Sequence, residues 1–217
     1  MTRTTMTMAV CMAAATTTAC FPITNTYQTA RLLEPGQVET TVGVALTGGD
    51  DEAYNAETYT DEINTLYEYQ VTAQVNVGVS EGVEVRGLVG YQSYKSIPLA
   101  AAVKISLIED HLAFDLPVGV ALGAGDPVGY LSVHPALIGT YRFSPYVEAS
   151  GSVRTSAYLK FIQGSRKRLV TTGTFGLGLS TDLESWAIRP EIGGGVVGLG
   201  DDPFFSVGVG LAGRFGD

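Results

Sequence analysis

The chain has 217 residues and a formal charge of −9, with 45% hydrophobic and only 16% charged residues, enough for one domain with a sizeable interior. No run of about 18 apolar residues is present to cross a bilayer as a helix, the 27 glycines follow no collagen period, and the acidic balance argues against a nucleic-acid partner. Both cysteines, Cys11 and Cys20, fall in the first twenty residues, which excludes a disulfide or a cysteine-based metal centre from the rest of the chain.

The leader carries Arg3, a mildly apolar stretch from Met6 to Ala15 and the small residues Thr17-Thr18-Ala19 before Cys20. That order is the order of an export signal. It also resembles a bacterial lipoprotein signal, and the resemblance implies lipidation of Cys20. An ordinary signal cut after Ala15 or Ala19 is the alternative. Residues 1–19 are read as signal peptide, 20–36 as a tether and 37–217 as the folded domain, with Leu32, Leu33 and Pro35 marking the approach to the first strand.

From Gln37 onward the chain alternates at period two in segments of about ten residues, the length a tilted strand needs to cross a bilayer. In Glu68 to Ser80, Tyr69, Val71, Ala73, Val75, Val77 and Val79 leave one face while Glu68, Gln70, Thr72, Gln74 and Asn76 leave the other. Val83 to Tyr94 repeats the pattern after a Ser80-Glu81-Gly82 hairpin. The segments are 37–48, 68–80, 82–94, 99–108, 111–122, 130–142, 145–155, 168–180, 186–197 and 204–215. Short and generally longer connections alternate between them, and an even count returns both ends to the short-turn side. The expected fold is all-β, a closed antiparallel up-and-down transmembrane barrel of about ten strands, with eight as the alternative. Outward aromatics stand near strand ends: Tyr69, Tyr91 and Phe205 toward the longer loops, Phe114, Tyr141, Trp186 and Phe215 toward the short turns. Spanning barrels concentrate aromatic rings at both interfaces in this way.

Two stretches sharpen this reading. Phe143-Ser144-Pro145-Tyr146-Val147-Glu148 looks like a periplasmic turn leading into the next strand. The last strand, Phe204 to Phe215, resembles a C-terminal assembly signal with alternate apolar residues ending on an aromatic, although Gly216 and Asp217 follow it. With these, the region from Gln37 resembles a small bacterial outer-membrane β-barrel protein. The resemblance implies an outer-membrane location with both termini periplasmic. It also implies membrane lipid, lipopolysaccharide and the barrel assembly machinery as partners. It carries location and fold but no specific activity.

By parity the wet face carries Glu68, Glu84, Asp115, Glu148 and Glu191 with Arg86, Lys104, Arg142, Arg154, Arg189 and Arg214. Arg or Lys at mid-bilayer on the lipid face would cost about 2–4 kcal/mol, so this face is the lumen, close to neutral and packed with pairs. A ten-strand lumen is too narrow for a wide aqueous channel. The expectation is a non-enzymatic, structural or surface-interacting barrel, with a narrow channel for small solutes as the alternative.

The remaining signals point less far. Asp50, Asp51, Glu52, Glu57, Asp61 and Glu62 make the first long loop acidic, without the spacing of a calcium loop. Arg166-Lys167-Arg168 is a basic counterpart in the fourth. Neither implies a metal or cofactor. A lipid-modifying enzyme would draw on Ser132, His134 and Glu148 as nucleophile, base and orienting acid. Ser132 and His134 are expected about 7 Å apart along one strand, a loose fit, and His111 sits at a short turn. A soluble lipocalin-like carrier would point the oily face inward. The sequence sets no oligomeric state.

Overall fold

The structure, a computed structural model, describes residues 25–49, 66–93, 96–123, 130–160, 168–197 and 202–216. Its regular segments are all strands: β1 (Val38–Gly49), β2 (Leu66–Ser80), β3 (Val83–Gln92), β4 (Ser96–Ile108), β5 (Leu112–Gly123), β6 (Tyr130–Val133), β7 (Ala136–Ser144), β8 (Val147–Lys160), β9 (Arg168–Leu179), β10 (Trp186–Val197) and β11 (Asp202–Phe215). Every pairing is antiparallel and joins chain neighbours, except that β5 and β8 each pair with both β6 and β7, and β1 pairs with β11 from Val38↔Phe215 to Gly49↔Phe204, which closes the sheet.

β6 and β7 are two halves of one stave. The pairs Val118↔Val133 and Asp115↔Ala136 lie on a single register against β5, and Val133↔Ala157 and Ala136↔Arg154 on a single register against β8. The interruption falls where Pro135, and Pro117 beside it, have no N–H to give the ladder. His134 N still donates to Pro117 O at 2.9 Å and Thr155 N to Pro135 O at 3.0 Å. The barrel therefore has ten staves, the number expected from the alternation.

Period-two alternation decides which face turns in. In β1 the outward Val42, Val44 and Leu46 are exposed, while the inward Thr41, Ala45 and Thr47 are buried. The outer wall is apolar along every stave, including Val75, Val89, Leu99, Val118, Ile192 and Leu211. The short connections carry register shifts at Gly78/Ser80, Ser106/Ile108 and Arg142/Ser144, bulges of the kind that re-aim strands at barrel rims. Cys20, the acidic residues from Asp50 to Glu62 and the Arg166-Lys167 pair lie outside the described residues, as does the side chain of Arg168.

Candidate functional site: a lumen filled by the N-terminal segment

The described part of the segment expected as a tether runs inside the barrel. Asn25, Thr26, Tyr27, Gln28, Thr29, Ala30 and Leu33 are all buried, with Tyr27 2% and Ala30 0% exposed. Leu33 N lies 3.3 Å from a Glu84 carboxylate oxygen near the start of β3, and Tyr27 Oη donates to Val44 O at 2.7 Å midway along β1. The chain thus climbs from the short-turn rim to mid-height. The placement has a physical reason: the barrel wall offers polar partners to a backbone that would otherwise need water.

The wall is cut to this segment. Gly43, Gly208 and Gly210 face inward on β1 and β11, and a Cβ at any of them would overlap Tyr27. A Cβ at Gly78 would meet the carbonyl of Glu34 where the segment leaves the lumen. Below the ring, Ala30 and Leu32 pack on the inward apolar residues Ala113 and Ile138. The polar wall takes the backbone. Glu191 accepts from Thr26 N and Tyr27 N, both at 3.2 Å. Gln74 donates to Thr26 O at 2.6 Å, Arg189 to Tyr27 O at 3.0 Å, and Lys104 to Thr29 O and Arg31 O at 3.4 and 3.3 Å. Ala30 N donates to Thr140 Oγ1 at 2.7 Å. Tyr27 itself has φ 54°, a conformation that costs a non-glycine residue about 1–3 kcal/mol and persists only where the surroundings over-determine it.

The charged side chains pair within the wall as well. Lys104 lies 2.9 Å from Glu84, its direct partner across β3 and β4. Arg86 on β3 reaches Asp115 on β5 at 2.6 Å, across the small Ala102 of β4. Arg189 on β10 reaches Glu39 on β1 at 2.9 Å, across Gly210 of β11, and Arg214 adds a contact to Glu39 at 3.2 Å. Glu68, Glu148 and Arg154 are buried on the same face, Arg154 donating to Thr26 Oγ1 at 3.1 Å. Arg142 departs from the expected lumen placement. It is on the short-turn rim, its side chain 36% exposed, and pairs there with Glu184.

Glu184 was missed by the sequence reading, together with Glu39 and Arg31. It sits in the turn between β9 and β10, where Asp182 Oδ1 accepts from Glu184 N at 3.1 Å and Ser185 Oγ donates to Asp182. Hydrogen bonds from Ser185 and the Glu184 amide hold the Asp182 carboxyl below its usual range. So presented, Glu184 gathers Arg31 of the inner segment, Arg142 of β7 and Arg214 of β11. Partial burial works against its charge, but Arg142 and Arg31 outweigh it and keep its carboxyl below the ordinary 4.5. Arg31 also lies 3.4 Å from Glu148. The parity of β1 would have found Glu39. Nothing in the local pattern marks Glu184.

Of the residues weighed for catalysis, Ser132 and His134 do meet. His134 Nε2 is 2.8 Å from Ser132 Oγ, closer than strand spacing alone suggests, because the imidazole folds back along its own stave. The third member is not Glu148, which lies eight residues down β8 from the position opposite His134. It is Ser156, whose Oγ is 2.8 Å from Nδ1. Ser132 also donates to Gly119 O at 3.2 Å, and Tyr158 meets the imidazole edge-on at 5.4 Å. His111 is exposed in its turn, Nδ1 2.7 Å from Glu109 O. Among the described residues no group of metal-ligating side chains comes together.

The end aromatics stand on the outer wall. Tyr69 and Tyr91 are neighbours at 6.2 Å toward the long loops, with Phe205 on the same end. Tyr141, Trp186 and Phe215 are exposed toward the short turns and Phe114 is half-buried there. Phe143 and Tyr146 join them, Phe143 4.9 Å from Tyr141.

The closed barrel, its apolar exterior and its polar interior define the fold of small bacterial outer-membrane β-barrels. Among solved structures, the COG4313 outer-membrane channel from Pseudomonas putida F1 matches with a TM-score of 0.55 at 10% identity, over 91% of this chain and 100% of that one. The attachment invasion locus protein Ail of Yersinia pestis matches at 0.41 and 14% identity, over 83% and 99%. OprG of Pseudomonas aeruginosa matches at 0.39 and 10% identity, over 88% and 100%. No family model and no curated protein matches the sequence.

Proposed function

We propose that the protein is a non-enzymatic integral barrel of the bacterial outer membrane, structural or surface-interacting, whose lumen is sealed by its own N-terminal segment. The observation that carries this is the burial of residues 25–30 against the wall, from near the short-turn rim up to mid-height. A ten-stave lumen has little spare width, and here a backbone with its side chains occupies it. The apolar exterior and aromatic ends support a membrane setting, with the short turns and both ends of the barrel's chain, Val38 and Phe215, on the periplasmic side. Lipid and lipopolysaccharide are then its surroundings, and the assembly machinery the route by which it inserts.

The test is electrical. A chain starting at Cys20, refolded in detergent and inserted into a planar bilayer, gives no stable stepwise current. A chain starting at Gln37 gives one. Conductance from the longer chain would overturn the sealed lumen and favour the second reading, a narrow channel for small solutes. The likeness to a protein described as a channel keeps that reading in view but extends to fold alone. The lipid-hydrolase reading is weaker still, because Ser156 stands where a triad places an acid.

A further inference from the structure

The geometry points to the lumen being a peptide-binding site that holds the N-terminal segment as a resident ligand. The class of ligand is a peptide with an aromatic residue and, four positions later, a basic one. The inference rests on the sealed-lumen reading and goes beyond it, since a seal need not be a replaceable ligand.

Three features distinguish a binding site from an ordinary core. First, the wall grips the backbone at many points. Glu191, Gln74, Arg189, Lys104, Thr140 and Glu84 between them take amides or carbonyls at residues 26, 27, 29, 30, 31 and 33. Such groups would serve other peptides that follow the same path, as main-chain hydrogen bonds do where peptides add to proteins. Second, selectivity sits in side chains, Tyr27 and Arg31 above all, with Thr26 held by Arg154 and Gln28 by Gln74 and Lys104. Tyr27 fills the slot left by Gly43, Gly208 and Gly210 and donates to Val44 O. Arg31 reaches Glu148 and Glu184 at the short-turn mouth. Third, the wall closes without the segment, and three of its ion pairs do not involve it. β1 and β11 close on each other along their whole length, and Arg86–Asp115, Lys104–Glu84 and Arg189–Glu39 pair within the wall. Emptying the lumen would free backbone-binding groups without stripping these charges of their partners.

The segment joins the barrel through Glu34-Pro35-Gly36, an exposed turn in which Gly36 takes φ +88°. Cutting there converts a tethered ligand into a free one while the protein is already folded. A specific protease site is inserted between Pro35 and Gly36 of the full chain, the protein is refolded in detergent, and the turn is cut. A fluorescent synthetic peptide of the sequence from Asn25 to Leu33 is then added in excess, and its polarisation and co-elution with the barrel are measured.

Saturable uptake is expected, weakened at least about tenfold for peptides carrying Tyr27→Ala or Arg31→Ala. Uptake should be blocked when the turn is left uncut. Three results would each overturn the inference: a cut segment that never exchanges, a barrel that unfolds on cutting, or a scrambled peptide that enters equally well. A barrel that stays electrically silent yet refuses exchange overturns this inference alone, whereas current through the intact chain overturns the sealed lumen itself.

Discussion

Tyr27 concentrates what the lumen does. Its ring needs three wall positions without side chains, its hydroxyl donates to a strand carbonyl, and its neighbouring amides are held by one carboxylate. These contacts offset the cost of a left-handed backbone at a bulky residue. At the rim, Glu184 plays the complementary part through charge. Its carboxyl is held below the ordinary 4.5 by Arg142 and Arg31 against partial burial. A group whose folded value is depressed adds stability above its unfolded value and loses it as the pH falls through the folded one. The mouth of the lumen should therefore loosen on acidification below about pH 4.5. Thermal unfolding followed from about pH 7 to about pH 3 should show a steeper acid loss for the native chain than for Glu184→Gln. Equal slopes would mean that the three arginines do not depend on this carboxylate.

Ion pairs in the wall skip a stave wherever the intervening residue is small. Arg86 reaches Asp115 over Ala102, and Arg189 reaches Glu39 over Gly210. Such pairs tie non-adjacent strands together inside a low-dielectric interior. Removing one partner strands the other charge, at about 3–5 kcal/mol, whereas replacing both with apolar groups of similar volume is often neutral or stabilising. Urea unfolding in detergent should show a large loss for Asp115→Leu, and recovery of most of it in the double variant Arg86→Met with Asp115→Leu. A double variant as unstable as the single would mean that the pair also orders its surroundings.

The strands themselves were legible because alternation is local: Val71, Val75 and Val79 against Gln70, Gln74 and Asn76 state their faces without outside help. Pro135 hid nothing from that pattern, though it split a stave. The inner segment was not legible from its own residues, since Asn25 to Gln28 are polar and carry no period. Its trace lay in the wall instead. Gly43, Gly208 and Gly210 place bare positions on a lumen face, and Ala113 and Ile138 place apolar ones where charges prevail. A filled lumen requires such gaps, but which segment fills them is a long-range fact.

For the whole molecule, the two faces make opposite demands. The inner one is satisfied by a peptide and by paired charges, and the outer one, with Val42, Val75, Val118 and Leu211 exposed at mid-height and Tyr69, Tyr146 and Phe215 toward the ends, is satisfied by hydrocarbon. In water that exterior would be an apolar surface far larger than monomeric soluble proteins expose. A soluble carrier would show the reverse arrangement, so the lipocalin-like alternative conflicts with the direction in which the charges point. The demand of the outer face depends on depth, which makes it measurable. Arginine at the midplane of a spanning barrel costs about 2–4 kcal/mol and near the interfaces about 0–1 kcal/mol. Folding into lipid vesicles should therefore be weakened strongly by Val75→Arg and weakly by Tyr146→Arg. The same two variants should differ much less in detergent micelles, whose headgroups can adapt to the added charge. Equal costs for both variants in vesicles would show that the outer wall does not lie across a bilayer.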